Sequence, residues 1–303
     1  MSSDGNGSGG NGSGSGNGGG GRDDVPEAIY LKPEDYDLEH VGDTEDVEFF
    51  TGLAARLKPR RVLELACGNG RVTLPLAEAG AEHGFDVVGL ELVPEMLAAA
   101  EKRRAGAKPA VRERLTLLEG DMRTWRADDG GGGEPFDLIV TPCSSVCHLL
   151  TLDDQIAAWR AAFENLTPGG RFVVDVAMAD LAAYSDSYRS PARELVEIDL
   201  DTFDEATSTR LLRYKTTRYL ADLQRARIRF LYDKFTVDPK SGATTALPGE
   251  RAISDFESHV YYPRELELLY RHAGFTVESV YGDYQARPLR ASSPQIIIVG
   301  VRP

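Results

Sequence analysis

The chain has few cysteines, no long apolar run and no excess of positive charge, and each absence excludes a class of protein. Three cysteines in 303 residues, with no C-x-x-C pair, are too few for the disulfide framework of a small secreted domain. No apolar stretch approaches the length of a membrane span, and the first residues lack the cationic and apolar segments of a signal peptide. We therefore expect a cytoplasmic protein with no membrane partner.

Positive charge is scarce as well. Lysine and arginine number 34 against 48 acidic residues, which gives a formal net charge of −14. Proteins that bind nucleic acids usually carry a basic footprint, so we expect no nucleic-acid partner. We also assign no metal site.

The pattern of residue types divides the chain into three parts. Residues 1–24 are almost wholly Gly, Ser, Asn and Asp, too poor in apolar side chains to fold, and residues 25–303 form one domain. From residue 61 to residue 178 strand and helix patterns alternate, which predicts a doubly wound, Rossmann-like α/β sheet covered on both faces. Residues 180–262 are rich in Thr, Tyr, Val, Ile and Arg without a helical period. They predict an antiparallel β insertion after the fifth strand, serving as a cap or an oligomer-forming part.

The most informative segment is residues 61–77, in which a strand containing Glu64 leads into a turn over Gly68 and Gly70 and then a helix. Glycines there allow a ligand to approach the backbone, and amides at a helix start favour negative charge. Thr73 replaces the third glycine of the dinucleotide fingerprint, and the Gly-Lys-Ser/Thr ending of a P-loop is absent. An acid ahead of the glycines would repel a pyrophosphate and suits a ligand that carries an ammonium or a sulfonium.

The pattern acidic-x-small-x-Gly-x-Gly resembles the first motif of class I methyltransferases, with Ala66 where the family usually has its first glycine. Glu91 ends the next strand, where a carboxylate can accept both ribose hydroxyls. Residues 115–122 resemble the third motif of the family, in which an acid, here Asp121, hydrogen-bonds the adenine amine. The resemblance implies a methyltransferase with S-adenosylmethionine as its cofactor.

The same resemblance implies which residues bind the cofactor. They are Tyr36, Glu64, Ala66, Cys67, Gly68, Gly70, Arg71, Glu91, Leu92, Met96, Gly120, Asp121, Met122, Pro142 and Cys143. Tyr36 would close over the cofactor with its aromatic face toward the sulfonium, and Arg71 would pair with the methionyl carboxylate. The alternatives are ordinary packing for Tyr36 and a solvated position in the first helical turn for Arg71.

The loop over residues 141–150 contains a motif that indicates the class of acceptor. Its Ser144-Ser145-x-x-His148-Leu149 run resembles bacterial N,N-dimethyltransferases of nucleotide-linked amino sugars, and is also similar to the glycine N-methyltransferase group. His148 would be the catalytic base or orient the acceptor, because an imidazole exchanges protons near neutral pH. Alternatively, His148 caps the next helix or fills a gap in the core. The resemblance extends to residues 254–266. The acceptor candidates in these regions and the lead-in are Tyr30, His259, Tyr261 and Arg264.

We therefore expect methyl transfer to a small-molecule acceptor, an amine rather than a hydroxyl, such as an amino sugar or a natural-product intermediate. Two alternatives stay open. Residues 141–144 resemble the Pro-Cys element of cytosine-C5 methyltransferases, in which Cys143 would attack the ring. The fold could also serve in a binding subunit without catalysis. In addition, the insertion could form the contact of a homo-oligomer.

Overall fold

Twelve strands in two sheets and seven α-helices make up the described part of the protein. The computed structural model describes residues 30–128, 132–182, 184–185, 195–247 and 251–303, so the predicted tail over residues 1–24 lies outside the described residues. The strands are β1 (Arg61–Leu65), β2 (Asp86–Glu91), β3 (Leu115–Glu119), β4 (Phe136–Thr141), β5 (Leu166–Ala177), β6 (Glu197–Asp204), β7 (Thr209–Leu220), β8 (Arg225–Val237), β9 (Thr244–Ala246), β10 (Ala252–His259), β11 (Thr276–Tyr281) and β12 (Gln295–Val301). The helices are α1 (Pro33–Glu39), α2 (Glu45–Leu57), α3 (Thr73–His83), α4 (Pro94–Gly106), α5 (Pro109–Arg114), α6 (Leu152–Glu164) and α7 (Pro263–Ala273).

The main sheet has seven strands in the order β11-β12-β5-β4-β1-β2-β3. Strands β1 to β5 are parallel to one another, while β12 runs antiparallel to both β5 and β11. The prediction of a doubly wound α/β sheet is confirmed. Because the carboxyl ends of parallel strands meet at one edge, the loops after β1, β2, β3 and β4 lie together there.

Helices cover both faces of the main sheet, because its central strands are apolar on both sides. Helices α2 and α3 pack on one face, where Phe50 and Leu76 are fully buried. Helices α6 and α7 pack on the other, where Trp159 and Tyr270 are fully buried. Both faces of the sheet are thereby removed from water, which leaves its carboxyl edge as the place for a ligand.

The insertion forms a second, antiparallel sheet in the order β10-β8-β7-β6, with β9 paired to β8. The predicted antiparallel insertion is thus confirmed, and we call this sheet the cap sheet. Its inner face packs on α1 through Leu38, which contacts a cluster that includes Leu211, Phe230 and Tyr232. Among the described residues, no helix combines the length and apolar character that crossing a bilayer requires.

Helix α7 packs closely on β12, where the ring of Tyr270 lies against Gly300. A Cβ added to Gly300 would lie 2.2 Å from Cδ1 and 2.5 Å from Cε1 of Tyr270, a fully buried ring. We expect Gly300→Ala to lower the free energy of unfolding by about 1–3 kcal/mol, because the ring must leave its packed position.

Urea unfolding monitored by circular dichroism measures this change. The matched control is Gly106→Ala at the end of α4, where an added Cβ has no neighbour within 4 Å. That variant should be as stable as the wild type or slightly more so. Equal stabilities for the two variants would contradict the packing described.

Candidate cofactor and acceptor site

The loop between β1 and α3 makes a sharp turn at the carboxyl edge of the main sheet. Ala66, Gly68 and Gly70 have φ values of 53°, 57° and 84°, in the left-handed region. A Cβ on Gly68 would lie 3.3 Å from Cε of Met96, which is buried beneath the turn. Glycine at position 68 therefore serves both the backbone conformation and the close approach of Met96.

Glu91, at the end of β2, ties two loops of this edge together. Its Oε2 accepts a hydrogen bond from the amide of Gly68 at 2.7 Å. Its Oε1 accepts from the amides of Leu92 at 2.9 Å and Val93 at 2.8 Å. Since a carboxylate oxygen can accept two hydrogen bonds, Oε2 retains an acceptor position for a ribose hydroxyl. The expected contact with both hydroxyls stays a prediction.

Glu64 is buried on β1, where it is 2% exposed. Its Oε2 accepts a hydrogen bond from Oγ1 of Thr73 at 2.6 Å. Burial raises the pKa of Glu64 to about 8 because the charged carboxylate has lost its water. A nearby cation would favour the ionised form, so the site suits a ligand that brings positive charge.

Arg71 is held by a carboxylate that the sequence interpretation did not single out. Its guanidinium forms two hydrogen bonds with Asp46 on α2, Nη1 to Oδ1 at 3.0 Å and Nη2 to Oδ2, and contacts Sγ of Cys143 at 2.7 Å. Its side chain is 12% exposed, so the alternative of a solvated arginine is wrong. Its Nε is buried without a partner and can donate to a ligand carboxylate.

Asp121, after β3, is half-buried and paired with Arg123, which donates from Nε to Oδ2 at 2.8 Å. Arg123 also binds Asp154 at 3.1 Å. An adenine amine would therefore have to share the Asp121 carboxylate with Arg123. The amide of Gly120 donates to the carbonyl of Glu91 at 2.9 Å, which joins this loop to the preceding one.

The other predicted cofactor residues are distributed around the same edge. Cys67 and Pro142 are buried, Met122 is partly buried against the core, and Leu92 is 47% exposed. Tyr36 is half-buried, and Arg71 and Cys143 lie close enough to influence its pKa, which burial raises. Tyr36 thus reaches the edge from α1, as expected for a side chain that closes over a cofactor.

S-adenosylmethionine fits the donor and acceptor groups of this edge. A Cβ at position 68 would crowd Met96, a cation would favour the ionised form of the buried Glu64, and the buried Nε of Arg71 has no acceptor among the described residues. Glu64 and Arg71 would hold the ammonium and carboxylate of its methionyl part, and Glu91 and Asp121 its adenosine.

The acceptor side is built around the loop after β4, where Cys143 and Ser144 have φ values of 57° and 58°. A 3-10 helix over Ser145–His148 follows. His148 is exposed, and its Nε2 lies 3.0 Å from Oη of Tyr30. It does not fill a core gap, and the cap of α6 is Thr151, whose side chain accepts from the amide of Asp154. Both alternative readings of His148 are therefore wrong.

Aromatic side chains surround His148. The ring of Tyr30 lies 5.6 Å from the imidazole and 6.3 Å from the ring of Tyr36. Phe256 of the cap sheet lies 6.4 Å from the imidazole on another side. The segment before α2, the β4 loop and the cap sheet thus converge at His148, and we call Tyr30, Tyr36, His148 and Phe256 the aromatic group.

A second group of tyrosines, not predicted from the sequence, adjoins the β4 loop. Tyr184 and Tyr219 stack with ring centroids 4.7 Å apart and an interplanar angle of 15°. Tyr219 Oη lies 3.4 Å from Oη of Tyr262, and Cys147 lies close enough to Tyr184 to influence its pKa. No motif relates these tyrosines, because they come from segments far apart in the chain.

The remaining acceptor candidates take other positions. Tyr261 is 2% exposed and donates a hydrogen bond to the carbonyl of Val146 at 3.2 Å, so we correct it to a core position. His259 is buried, with Nε2 2.9 Å from Oε1 of Glu265, and contributes to the packing behind the loop. The side chain of Arg264 is 93% exposed and lies in solvent.

Cys143 shows no sign of an activated nucleophile. Burial raises the pKa of its thiol well above the ordinary value, although the neighbouring Arg71 acts to lower it. The thiol donates to Oδ2 of Asp46 at 3.2 Å. Because the thiolate is the nucleophilic form, this environment argues against the cytosine-C5 alternative.

Glu64 makes the stability of the unliganded protein depend on pH. A carboxyl group whose pKa is higher in the folded state binds extra protons there, so its contribution to stability falls as the pH rises from about 4.5 to about 8. Glu64→Gln, which mimics the protonated form, should therefore gain stability relative to the wild type over this range.

Thermal unfolding at pH 5 and pH 8.5 checks this expectation. The difference in melting temperature between Glu64→Gln and the wild type should be several degrees more positive at the higher pH. Glu101→Gln, at a carboxylate that is 47% exposed, serves as the control and should show the same difference at both values. Parallel behaviour of the two variants would contradict the assigned environment of Glu64.

Comparisons with known proteins relate this chain to methyltransferases. Residues 62–170 match the family described as methyltransferase domain. The dTDP-3-amino-3,4,6-trideoxy-alpha-D-glucopyranose N,N-dimethyltransferase of Streptomyces venezuelae is 38% identical over 114 residues, which are 38% of this chain and 41% of that enzyme. The chain spans 41–44% of the length of the first curated relatives that it matches.

Two further comparisons extend beyond the domain. The cypemycin N-terminal methyltransferase of a Streptomyces species is 26% identical over 245 residues, 80% of this chain and 83% of that enzyme. The structure of the CcbJ methyltransferase from Streptomyces caelestis superposes with a TM-score of 0.63 at 22% identity, covering 86% of this chain and 97% of that one, and shows the same fold. Over residues 62–170 the chain therefore matches a methyltransferase domain, and its fold is that of the CcbJ methyltransferase.

Proposed function

We propose that this protein transfers a methyl group from S-adenosylmethionine to an amine of a small-molecule acceptor, with an amino sugar as the first candidate. The observation that carries the proposal is the contact between the exposed His148 and Tyr30, at 3.0 Å, within the aromatic group. That contact adjoins the cofactor edge through Tyr36, which neighbours both Tyr30 and Arg71.

The cofactor supplies a methyl carbon that its positive sulfur has already activated. The protein therefore contributes alignment and exclusion of water, which together can lower the barrier by about 7–11 kcal/mol. Arg71 and Glu64 fix the methionyl end, while Glu91 fixes the ribose end. Tyr36 covers the space between them, and an aromatic face beside a sulfonium is stabilising.

An amine acceptor must present a free electron pair to the methyl carbon. Nε2 of His148 can accept a proton from the ammonium form of the acceptor, and its exposure lets that proton pass on to water. Tyr30 Oη lies 3.0 Å from the same nitrogen and can orient the imidazole or the amine. His148 and Tyr30 thus supply what an amine requires, whereas an activated nucleophile on the protein is not needed.

The aromatic surfaces beside His148 suit an amino sugar. The carbon–hydrogen face of a sugar ring can pack on aromatic side chains such as those of the Tyr184 and Tyr219 stack. The similarity to the Streptomyces venezuelae amino-sugar dimethyltransferase supports this acceptor class.

A second acceptor is the N-terminal amine of a peptide. The similarity to the cypemycin N-terminal methyltransferase favours it, because that alignment spans 80% of the chain and so reaches beyond the methyltransferase domain. Both acceptors present an amine to the same group of residues, so the chemistry assigned to His148 and Tyr30 applies to either.

Methyl transfer to defined acceptors distinguishes the two. The protein is incubated with cofactor carrying an isotopically labelled methyl group and either a dTDP-linked amino sugar or a short peptide with a free N-terminus. Mass spectrometry of the products locates the label. We expect labelled amine nitrogen in the sugar series, while label in the peptide series alone would favour the second acceptor. Label on hydroxyl oxygen or nucleic acid alone would overturn the proposal of an amine acceptor.

Replacing His148 tests its role. His148→Ala should lower kcat for an amine acceptor about 10²–10⁴-fold, the usual contribution of a general base, and leave cofactor affinity unchanged. Tyr30→Phe should have a smaller effect of the same kind. Steady-state kinetics measure kcat, and calorimetric titration measures cofactor affinity.

The control for this pair is His83→Ala, an exposed histidine at the end of α3, which should retain full activity. If His148→Ala keeps the kcat of the wild type across the pH range, His148 is not the base. If instead it loses affinity for the cofactor, its role lies in the donor site.

A further inference from the structure

Asp175 is a buried carboxylate near the end of β5 that the proposed mechanism does not use. It is 1% exposed, and its Oδ2 accepts a hydrogen bond from the hydroxyl of Tyr284 at 2.5 Å. Its Oδ1 is equally buried and has no hydrogen-bond partner. An unpaired oxygen of a buried carboxylate is costly, so it points to a group that the protein itself does not provide.

Asp175 lies on the same face of the main sheet as the cofactor-binding acid of β1. Glu64 is paired with Val140 of β4, and Val140 is paired with Val173 of β5. Because alternate residues of a strand share a face, Asp175 projects to the side of Glu64, where α2 packs. Asp46 of α2 and Cys143 of the β4 loop are both close enough to influence the pKa of Asp175.

Three buried carboxylates and one buried cation therefore lie at this edge. Asp46, Glu64 and Asp175 are 5%, 2% and 1% exposed, and Arg71 is the guanidinium that Asp46 binds. We call these four residues the acidic cluster. With every member ionised its formal charge is −2, because three negative charges meet one positive charge.

The carboxylates of the acidic cluster differ in the hydrogen bonds that they accept. Asp46 accepts from Arg71 and from the thiol of Cys143, and Glu64 accepts from Thr73. Of these three acids, only Asp175 has a buried oxygen without a hydrogen-bond partner among the described residues. The excess negative charge is therefore least compensated at Asp175.

We propose that the acidic cluster makes the site bind the sulfonium donor more tightly than the neutral thioether product, with Asp175 setting this preference. The inference rests on the proposed function, since it concerns the same cofactor. The methionyl ammonium and carboxylate cancel in both molecules, so they differ by the one positive charge on sulfur. In a site of low dielectric constant that charge is attracted to the cluster, and its loss on methyl transfer favours release of the product.

Calorimetric titration with S-adenosylmethionine and, separately, with S-adenosylhomocysteine measures the preference directly. At pH 8.5, Asp175→Asn should weaken binding of the sulfonium about tenfold and leave binding of the thioether within about twofold. The matched control is Asp137→Asn at the amino end of β4, which removes the same charge from the opposite edge of the sheet. Asp137→Asn should keep the wild-type ratio of the two dissociation constants.

A charge-conserving variant separates the proposed role from a structural one. Asp175→Glu should retain the preference for the sulfonium even if both affinities fall. If Asp175→Asn weakens both ligands equally, or if its ratio equals that of the wild type, the inference is overturned. If the wild type binds neither ligand, the proposed function itself fails.

Discussion

The buried guanidinium of Arg71 connects the segments that form the donor side of the site. It follows the Gly70 turn after β1, binds Asp46 at the start of α2 and contacts Cys143 after β4. A buried charge is tolerated only when it is paired, so these segments are held in one arrangement. Burial acts to raise the pKa of Asp46, but the hydrogen bond and charge of Arg71 outweigh it and hold that pKa below its ordinary value. The pair thus keeps one acid of the edge ionised.

Helix α1 extends this arrangement to the acceptor side. Asp37 accepts a hydrogen bond from Asn69 of the glycine turn at 2.6 Å, while Glu39 pairs with Arg213 of the cap sheet. The same helix carries Tyr36 and follows Tyr30, so its position decides how the aromatic group meets the cofactor edge. Because α1 is held from both sides, the cap sheet helps to fix the helix that carries Tyr36.

Local patterns predicted the parts of the molecule that depend on local physics. The alternation of strands and helices, the Gly68 turn and the acid at position 91 each follow from residues close together in the chain. The sequence pattern did not reveal the roles of Asp46 and Asp175, because these depend on strand register and on packing between distant segments. Asp175 stands in an apolar run that reads as an ordinary strand, and only its pairing through β4 shows which face it occupies. Tyr184 and Tyr219 were missed for the same reason.

The two sides of the site differ in the way that their tasks require. The donor side is buried and contains several acids, so a cation bound there is stabilised more than it would be in water. His148 is exposed, so under the proposed function it would pass the proton of the acceptor on to water. A second transfer to the same nitrogen needs the removal of another proton, which a buried acid would retain. Under the proposed function, a proton acceptor at the surface and a donor charge in the interior would allow more than one methyl transfer to the same amine.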